Sequence, residues 1–533
     1  MLKRNLGLIG FLILLMASSA CATASVVPQT SAPTSQASAS TAATQSDASK
    51  PKEQKQQPTA TAQPNTPSSA AAAKPKDQKG QPGTAPSNNP DFIAAEILGR
   101  PTNASVTVNV VPSKNMEIYY EYGTASGNYA NQTAEVTAAA GTLVESVIDK
   151  LAPNSRYYYR IRYRQPGTGQ FVAGPEHTFV TQRAPGSTFT FDLQGDSHPE
   201  RPQQNDPELY KRTLLSAASD QPDFFMTIGD DFSVDNLKTV NVDTVTERYN
   251  LQREFLGLVG NSAPIFLVNG NHEQAAQYNL NGTPNNVAVW AQQARNRYFP
   301  QPAPDNFYTG DTQPVEFIGL LRDYYAWTWG DALFIVIDPY WHSSVPVDNV
   351  FGGASKQRDM WGITLGDAQY QWFKKTLEQS NAKYKFVFAH HVLGTGRGGI
   401  ELAGEYEWGG KGRNGVWEFD KMRPGWELPI HQLMVKNGVS IFFQGHDHIF
   451  VRQELDGIIY QELPEPADPG YVAYNEDAYK SGVKLPNIGH LRVTVSPAQV
   501  KVDYVRSYLP KDEINGRKSG EIAYSYTVAP KVK

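Results

Sequence analysis

Five short polar segments, each directly following an apolar run, constrain the fold of this chain more than any other feature. The runs are rich in β-branched and aromatic residues, which is typical of buried strands. They cover residues 189–193, 224–228, 264–268, 384–388 and 439–443. The polar segments are Gly195-Asp196-Ser197-His198, Gly229-Asp230-Asp231, Gly270-Asn271-His272-Glu273, His390-His391 and Gly445-His446-Asp447-His448. Because loops at the carboxyl ends of strands meet at one edge of an open α/β sheet, we expect these segments to lie close together.

The polar segments supply the donor atoms that catalytic metal ions use. They contain carboxylates, imidazoles and an amide oxygen but no thiolate, and the single cysteine, Cys21, lies far from all of them. Such ligands suit Fe, Mn, Zn or Co held for hydrolysis rather than a structural zinc site. Two ions about 3.5–4 Å apart need one carboxylate that bridges them. Asp230 is the natural candidate for this bridge.

In their order, the five segments resemble the sequence blocks of the calcineurin-like metallophosphoesterases, a superfamily that includes the purple acid phosphatases. The resemblance covers residues 187–508. It implies an α/β fold of four layers, in which two mixed sheets are flanked by helices. It also implies two metal ions, of Fe, Mn or Zn, and hydrolysis of a phosphoester by a hydroxide that bridges the ions and has a lowered pKa.

The resemblance assigns a role to each polar segment. The first metal would be held by Asp196, His198, Asp230 and His448. The second metal would be held by Asp230, Asn271, His390 and His446. Asn271 would also face the substrate. His272 would bind the phosphate and act as general acid, a task suited to a side chain that titrates near pH ~6.5 when unperturbed. Glu273 would orient His272.

Two departures from the purple acid phosphatases affect this assignment. Those enzymes carry a tyrosine three residues after the bridging aspartate, where this chain has Ser233, so the protein is not expected to be purple. They also place further histidines just past the fourth block, where this chain has a glycine-rich segment, residues 394–399, containing Arg397. An arginine can offer a two-pronged contact to phosphate, so Arg397 is a candidate for substrate binding.

Two further histidines have alternative interpretations. His391 could reach the phosphate from the outer shell, or it could be a structural residue beside the ligand His390. His342 follows another apolar run, residues 333–337, and we interpret it as structural.

Composition and missing motifs restrict the function further. The net charge of −5 argues against a strongly basic nucleic-acid-binding surface, and the sequence has neither a Gly-x-Ser-x-Gly elbow nor a Gly-Lys-Ser/Thr phosphate loop. The leading hypothesis is an exported enzyme that hydrolyses phosphomonoesters of small molecules. A phosphodiesterase using the same site, and a surface adhesin whose metal-bound domain is inactive, remain alternatives. The sequence does not predict the oligomeric state.

The first part of the chain predicts export. Lys3 and Arg4 precede an apolar run, residues 6–16, that is too short to span a bilayer, and Cys21 follows a stretch of small residues. This arrangement resembles a bacterial lipoprotein signal, residues 1–21, with lipidation at Cys21 and membrane anchoring. Ordinary cleavage after residue 24, followed by secretion, is the alternative. Residues 22–90 contain too few large apolar side chains to fold and are predicted to be a disordered linker.

Residues 91–184 are predicted to form an all-β sandwich. Alternation in residues 156–164 indicates a strand with one buried face, with Arg160, Arg162 and Arg164 on a solvated face that could also meet an acidic partner. The segment around Tyr157 resembles the corner of a fibronectin type III domain, in which the tyrosine hydroxyl bonds to upstream backbone.

Residues 185–510 are predicted to form the catalytic domain, and residues 511–533 a C-terminal tail. Helical patterns alternate with the strands and cover residues 207–219, 244–258, 286–298, 365–378 and 428–436. Late apolar runs at 458–463, 491–495 and 500–505 are expected to share the second sheet. This alternation independently favours an α/β class.

Overall fold

The computed structural model describes residues 89–235, 237–347, 360–392 and 396–531. All of them belong to one compact unit, Lys79–Lys533. The predicted export signal, Cys21 and nearly all of the predicted linker lie outside the described residues. Within the described ranges, no helix combines the length and the apolar character that crossing a bilayer requires.

An all-β sandwich comes first. Its strands are β1 (Phe92–Gly99), β2 (Val106–Pro112), β3 (Met116–Gly123), β4 (Asn131–Gln132), β5 (Val136–Ala138), β6 (Val144–Ile148), β7 (Arg156–Arg164), β8 (Val172–Ala173) and β9 (His177–Val180). One sheet has the order β1-β2-β6, and the other is built around the antiparallel pair β3 and β7. The two inner faces share an apolar core that includes Val108, Ile118 and Tyr159. This confirms the predicted β-sandwich.

Strand β7 shows the predicted alternation between a buried and a wetter face. Tyr157 points inward and stacks on Phe179, with ring centroids 5.6 Å apart. Its hydroxyl accepts a hydrogen bond from the backbone amide of Ala152 at 2.8 Å, the contact that the fibronectin type III resemblance implies.

The arginines on the outer face of β7 pair with acidic residues of the neighbouring strand β3. Arg160 and Arg162 both contact Glu121, and Arg164 donates to Glu117 at 2.6 Å. The acidic partner of this row therefore lies within the same sheet, and the pairing links β7 to β3 on the side away from the core.

The remaining strands build two mixed sheets. They are β10 (Phe189–Gln194), β11 (Phe225–Thr227), β12 (Ile265–Leu267), β13 (Thr309–Gly310), β14 (Pro314–Val315), β15 (Gly319–Leu320), β16 (Tyr325–Trp329), β17 (Ala332–Val336), β18 (Tyr384–Phe388), β19 (Ile441–Gln444), β20 (Phe450–Leu455), β21 (Ile458–Glu462), β22 (Val483–Leu485), β23 (Gly489–Val495), β24 (Val500–Arg506) and β25 (Ile522–Val528). One sheet has the order β12-β11-β10-β23-β24-β25, and the other has the order β13-β16-β17-β18-β19-β21-β20-β22. Strands β14 and β15 form a separate hairpin.

The helices cover the outer faces of the two sheets. They are α1 (Pro207–Ser219), α2 (Val242–Gly260), α3 (Val287–Tyr298), α4 (Gly366–Gln379), α5 (Tyr406–Gly409), α6 (Phe419–Met422) and α7 (Ile430–Lys436). Helices α1, α2 and α3 pack on the six-stranded sheet, and α4 and α7 pack on the eight-stranded sheet. Between the sheets lies an aromatic core that includes Phe191, Phe224, Trp327 and Phe334. The predicted four-layer α/β fold and its five helices are confirmed.

Two expectations about the end of the chain need correction. The run at 458–463 does not share a sheet with the other late runs, because β21 pairs with β19 in the eight-stranded sheet whereas β23 and β24 extend the six-stranded sheet from β10. The segment 511–533, expected to be a tail, contributes β25, which pairs with β24 at the edge of the six-stranded sheet.

The sandwich packs against the outer helices of the six-stranded sheet. Ile97 of β1 and Val111 of β2 lie in the same apolar cluster as residues of α2 and α3. Arg253 of α2 is buried at this contact, and it donates to the carbonyls of Ala95 and Asn109, each at 2.7 Å. The two parts of the chain therefore share a core as well as polar contacts.

Candidate metal centre

The predicted polar segments meet where the two sheets end on the same side of the molecule. The first three follow the parallel strands β10, β11 and β12, and the last two follow the parallel strands β18 and β19. All seven predicted metal ligands are buried: Asp196, His198, Asp230, Asn271, His390, His446 and His448. The fold therefore joins segments that are up to about 250 residues apart in the chain.

One group of donor atoms comes from the first and last segments. Asp196, His198 and His448 each offer a ligand atom, and these atoms all lie within 4.8 Å of one another. His448 Nε2 lies 3.1 Å from Asp196 Oδ2. The buried Nε2 of His198 has no hydrogen-bond partner among the described residues. A buried ring nitrogen without a partner beside carboxylates fits a metal ligand.

A second group comes from the middle segments. Asp230, His390 and His446 also place their donor atoms within 4.8 Å of one another, and His390 Nε2 lies 3.1 Å from Asp230 Oδ2. Asn271 Oδ1 lies 3.0 Å from both His390 Nε2 and His446 Nδ1. The predicted ligands of the second metal therefore converge around one position.

Asp230 connects the two groups. It lies within 4.8 Å of the donor atoms of His198 and His272 as well as those of His390 and His446. Its Oδ2 is 3.7 Å from His198 Nε2 on one side and 3.1 Å from His390 Nε2 on the other. A carboxylate shared in this way fits the bridge that two neighbouring ions require.

The backbone around the ligands is held in sparsely populated conformations. His198, Asp230, His446 and His448 all have positive φ angles, between 39° and 80°. Such angles are uncommon for residues other than glycine and persist where the surroundings impose them. Here they aim four side chains into one centre from loops that follow different strands.

Outer partners fix the orientation of the histidine rings. His198 Nδ1 lies 3.2 Å from Glu200, and His448 Nδ1 lies 3.1 Å from Glu465. His390 Nδ1 donates to the carbonyl oxygen of Ile228 at 2.8 Å. Each contact occupies one ring nitrogen and directs the other into the centre, as second-shell groups do in metal sites.

The electrostatics show that the centre favours positive charge. Burial alone would raise the pKa of Asp230, but His390 and His272 beside it hold that pKa well below its usual value. Burial would lower the pKa of His390, but Asp230 and Asp196 raise it to about 10. Closely spaced carboxylates need compensating cations, and bound metal ions would serve the same purpose.

His272 lies at the open side of the centre, with 21% of its side chain exposed. Its Nδ1 is 2.6 Å from Asp235 Oδ2, and its Nε2 is 3.9 Å from Asp230 Oδ2. Arg201 NH2 lies 3.1 Å and 3.2 Å from the two ring nitrogens. The open side therefore presents an imidazole and a guanidinium together.

The carboxylate of Glu273 contacts the backbone of the neighbouring turns. Its carboxylate accepts backbone hydrogen bonds from Asp231 at 2.7 Å and from Gly270 at 2.6 Å, and it is buried. It therefore ties together the turns that carry Asp230 and Asn271, whereas Asp235 is the carboxylate in contact with His272. A role of Glu273 in orienting His272 stays a prediction.

Arg397 and His391 lie beside the centre. Arg397 NH1 donates to the carbonyl of His446 at 2.7 Å and to Asp447 at 2.8 Å, so this part of its guanidinium supports the last polar segment. His391 stacks on His446, with ring centroids 4.8 Å apart, and its Nδ1 lies 3.1 Å from the hydroxyl of Tyr340. Substrate contacts by either residue stay predictions.

Sequence reasoning missed four charged residues of the site, namely Glu200, Arg201, Asp235 and Glu465. Glu200 and Arg201 follow the first polar segment after Pro199, and Asp235 lies five residues after Asp230, so a search for charges near each segment could have found them. No comparable signal marks Glu465, which reaches His448 only through the tertiary fold.

Comparisons with known proteins identify the domain that carries this site and its fold. Residues 189–450 match the family model of the calcineurin-like phosphoesterases. The chain is similar in fold to the solved structure of PhoD, with a TM-score of 0.59, 14% identity, and coverage of 83% of this chain and 90% of that chain. It is also similar in fold to the purple acid phosphatase PPD1 from yellow lupin (Lupinus luteus) seeds, with a TM-score of 0.55, 16% identity, and coverage of 81% and 74%.

No curated protein sequence matches the chain. The family match begins at β10 and ends just past His448, so it covers all five polar segments. Residues 189–450 therefore form a calcineurin-like phosphoesterase domain.

Proposed function

We propose that this protein hydrolyses phosphomonoesters of small molecules with the help of two metal ions. The observation that carries the proposal is the position of Asp230, whose carboxylate lies within 4.8 Å of the donor atoms of His198 on one side and of those of His390 and His446 on the other. The first ion would be held by Asp196, His198, Asp230 and His448, and the second by Asp230, Asn271, His390 and His446. Such ions activate water and neutralise charge on the phosphoryl oxygens.

The side chains at the open edge support a phosphoryl substrate. Arg201 supplies a positive charge that can pair with the terminal oxygens of a phosphate group. With its Nδ1 engaged by Asp235, His272 would donate a proton from Nε2 to the leaving oxygen. Arg201 also pairs with Glu200 and Asp235, so the excess positive charge at this edge would come from the two metal ions. A phosphomonoester dianion would gain more from those ions than a singly charged diester, which favours the monoesterase over the diesterase.

The first experiment compares hydrolysis of nitrophenyl phosphate and bis-nitrophenyl phosphate by the purified protein supplied with Mn, Zn, Fe or Co. We expect the monoester to have the higher kcat/KM. The variants Asn271→Ala and His390→Ala should lose activity, whereas His177→Ala, in the sandwich, should not. Faster hydrolysis of the diester would identify a phosphodiesterase instead. Equal inactivity of wild type and the two site variants with every metal would contradict the enzyme hypothesis and leave the adhesin.

Metal analysis of the purified protein tests the cofactor directly. We expect at least two equivalents of Fe, Mn or Zn per chain, and the loss of bound metal in His448→Ala and His390→Ala. Retention of the full metal content by both variants would contradict the ligand assignment, whatever the activity.

We also propose that the protein is exported and anchored through a lipid on Cys21, on the strength of the charged, apolar and small-residue pattern of residues 1–21. Metabolic labelling with a radioactive fatty acid, comparing wild type with Cys21→Ser, tests this proposal. Label on wild type alone would support lipidation. Export without label in both proteins would favour ordinary cleavage and secretion.

A further inference from the structure

Another cluster of potential metal ligands lies outside the candidate metal centre. Asp311, Asp323 and His342 place their donor atoms within 4.8 Å of one another. From the sequence alone His342 is interpreted as structural, and neither aspartate belongs to the polar segments of the phosphoesterase domain.

The fold brings these residues together from the two ends of the β14–β15 hairpin and from the loop after β17. Asp311 precedes the β14–β15 hairpin, Asp323 follows it, and His342 lies in the loop after β17. Strands β16 and β17 are antiparallel, with Tyr325 opposite Val336, so the residues just before β16 and just after β17 share one end of the sheet. An ion bound here would close the base of the hairpin against that loop.

The contacts leave a buried oxygen without a partner. Asp323 is fully buried, and its Oδ2 lies 3.1 Å from His342 Nε2. The other oxygen of the same carboxylate, Oδ1, has no hydrogen-bond partner among the described residues. An unpaired buried carboxylate oxygen is costly, and a bound cation is one way to satisfy it.

His342 is the basic side chain that the structure places against these carboxylates, at 3.1 Å from Asp323. Asp338 approaches the same cluster and, after burial, the charge of Asp323 is the main cause that raises the pKa of Asp338, to about 7. Within the part of the chain that the structure describes, no lysine or arginine forms an ion pair with Asp311, Asp323 or Asp338. The cluster thus resembles the metal centre in having more carboxylates than cationic partners.

A third cluster provides an instructive contrast. Asp192, Asp220 and His490 also lie within 4.8 Å of one another, but Arg492 donates to Asp220 at 2.8 Å. Both oxygens of the buried Asp192 carboxylate also lack a hydrogen-bond partner among the described residues. Burial and the neighbouring Asp220 raise the pKa of Asp192 well above its usual value, and Arg492 supplies the positive charge beside Asp220, so that cluster can be neutral without an ion. The difference favours the Asp311 cluster as a cation site.

We propose that Asp311, Asp323 and His342 bind one divalent transition-metal ion of the Zn²⁺ type. One imidazole nitrogen with two carboxylates suits such an ion better than Ca²⁺ or Mg²⁺, which prefer oxygen ligands alone. The ion is structural, because it joins the hairpin insertion to the loop after β17. We call this site of Asp311, Asp323 and His342 the clasp. Tyr340, two residues before His342, contacts His391 beside the catalytic centre, so the clasp also supports one wall of that centre.

The test counts ions. The full chain is stripped with a chelator, reloaded with Zn²⁺, dialysed and analysed by inductively coupled plasma mass spectrometry. We expect three equivalents in wild type, two in His342→Gln, and three in the control His177→Gln. His390→Gln should lose zinc from the catalytic centre while it keeps the Zn²⁺-dependent rise in melting temperature that the clasp confers. This pattern separates failure of the clasp from failure of the catalytic centre.

Equal zinc content in wild type and His342→Gln would overturn the proposal, as would a wild type that binds only two ions. If His342→Gln does not fold, Asp311→Asn replaces it. Calorimetric titration of the stripped protein with Zn²⁺ should then show one of three binding events weakened at least about tenfold. An unchanged titration of Asp311→Asn would also reject the site.

Discussion

Single residues behind the candidate ligands hold the histidine rings of the proposed metal centre in place. Glu465 does not lie in any polar segment, yet its Oε2 is 3.1 Å from the outer nitrogen of His448. It is fully buried, so its contact with the ring is not weakened by water. Residues in this position fix the tautomer and the direction of a ligand histidine.

We therefore expect Glu465→Gln to weaken metal binding and to lower kcat by about 10- to 100-fold while the protein stays folded. Zinc or manganese titration of the stripped protein, with activity measured at each point, checks this expectation. Glu454→Gln is the matched control, because Glu454 is 51% exposed and pairs with Arg452 at the surface. Equal affinities in the two variants would show that Glu465 does not support the ligand.

Arg201 is the residue for which we predict a substrate effect without a metal effect. Arg201→Lys keeps a positive charge but removes the planar fork, so the loss of one charge-assisted hydrogen bond should reduce kcat/KM by about tenfold or more. The loss should appear mainly in KM, with metal content unchanged. Arg212→Lys is the control, since Arg212 pairs with Glu513 on the surface. A change in kcat alone would point to an effect on His272 instead.

At this scale the sequence predicted which candidate ligands lie together, but not the residues that contact them from behind. The candidate ligands stand next to recognisable strands. Whether Asp235 or Glu273 contacts His272 depends instead on the conformation of the turn that carries each carboxylate. Glu273 is adjacent to His272 in sequence but faces backbone amides, and Asp235 comes from another loop. Adjacency in sequence does not predict contact between two side chains where successive residues of a loop point in different directions.

The elements that carry the site depend on glycines that let loops approach closely. A Cβ at Gly270 would overlap Asp230 Oδ1 and the backbone nitrogen of Asp230. A Cβ at Gly445 would similarly meet Asp196 Oδ1. The turns after β12 and β19 are therefore built around the two carboxylates of the centre.

Gly270→Ala should accordingly displace Asp230 and reduce activity by at least about 100-fold, because small misplacements of reacting groups have effects of that size. Gly257→Ala, in α2, is the control: nothing lies within 4 Å of its added Cβ, and alanine favours the helix. We expect that variant to keep full activity and to gain up to about 1 kcal/mol of stability. Activity and thermal unfolding of both variants provide the measurements.

Element positions were predictable from sequence, but element pairing was not. Apolar runs identified the strands before each polar segment, and the five main helices were placed within two residues of their observed ends. The run at 458–463 was assigned to the wrong neighbours because all late strands have similar apolar patterns. Which sheet a strand joins depends on contacts across the whole domain, and periodicity does not contain that information.

At the scale of the whole molecule, the sandwich and the phosphoesterase domain share an interface that the sequence did not predict. The alternation in β7 predicted a sandwich with its own core, which is correct. It did not predict that Ala94, Ile97 and Val111 would complete a cluster with α2 and α3. The hydroxyl of Tyr159 also reaches across the interface to donate to the carbonyl of Asn261 at 2.7 Å. Complementarity between two surfaces has no periodic signature in either one.

This interface predicts that the two parts unfold together. Arg253 is buried between them and donates to carbonyls of β1 and β2, so Arg253→Met would leave buried acceptors unpaired and cost about 2–4 kcal/mol. Differential scanning calorimetry should show one transition for wild type and a lower melting temperature for Arg253→Met, while the exposed Arg413→Met should match wild type. Two separate transitions in the wild type would contradict this coupling. Because α2 also contributes Gln252, which donates to Ser197 and Asp231 behind the metal ligands, loosening the interface should lower metal affinity as well as stability.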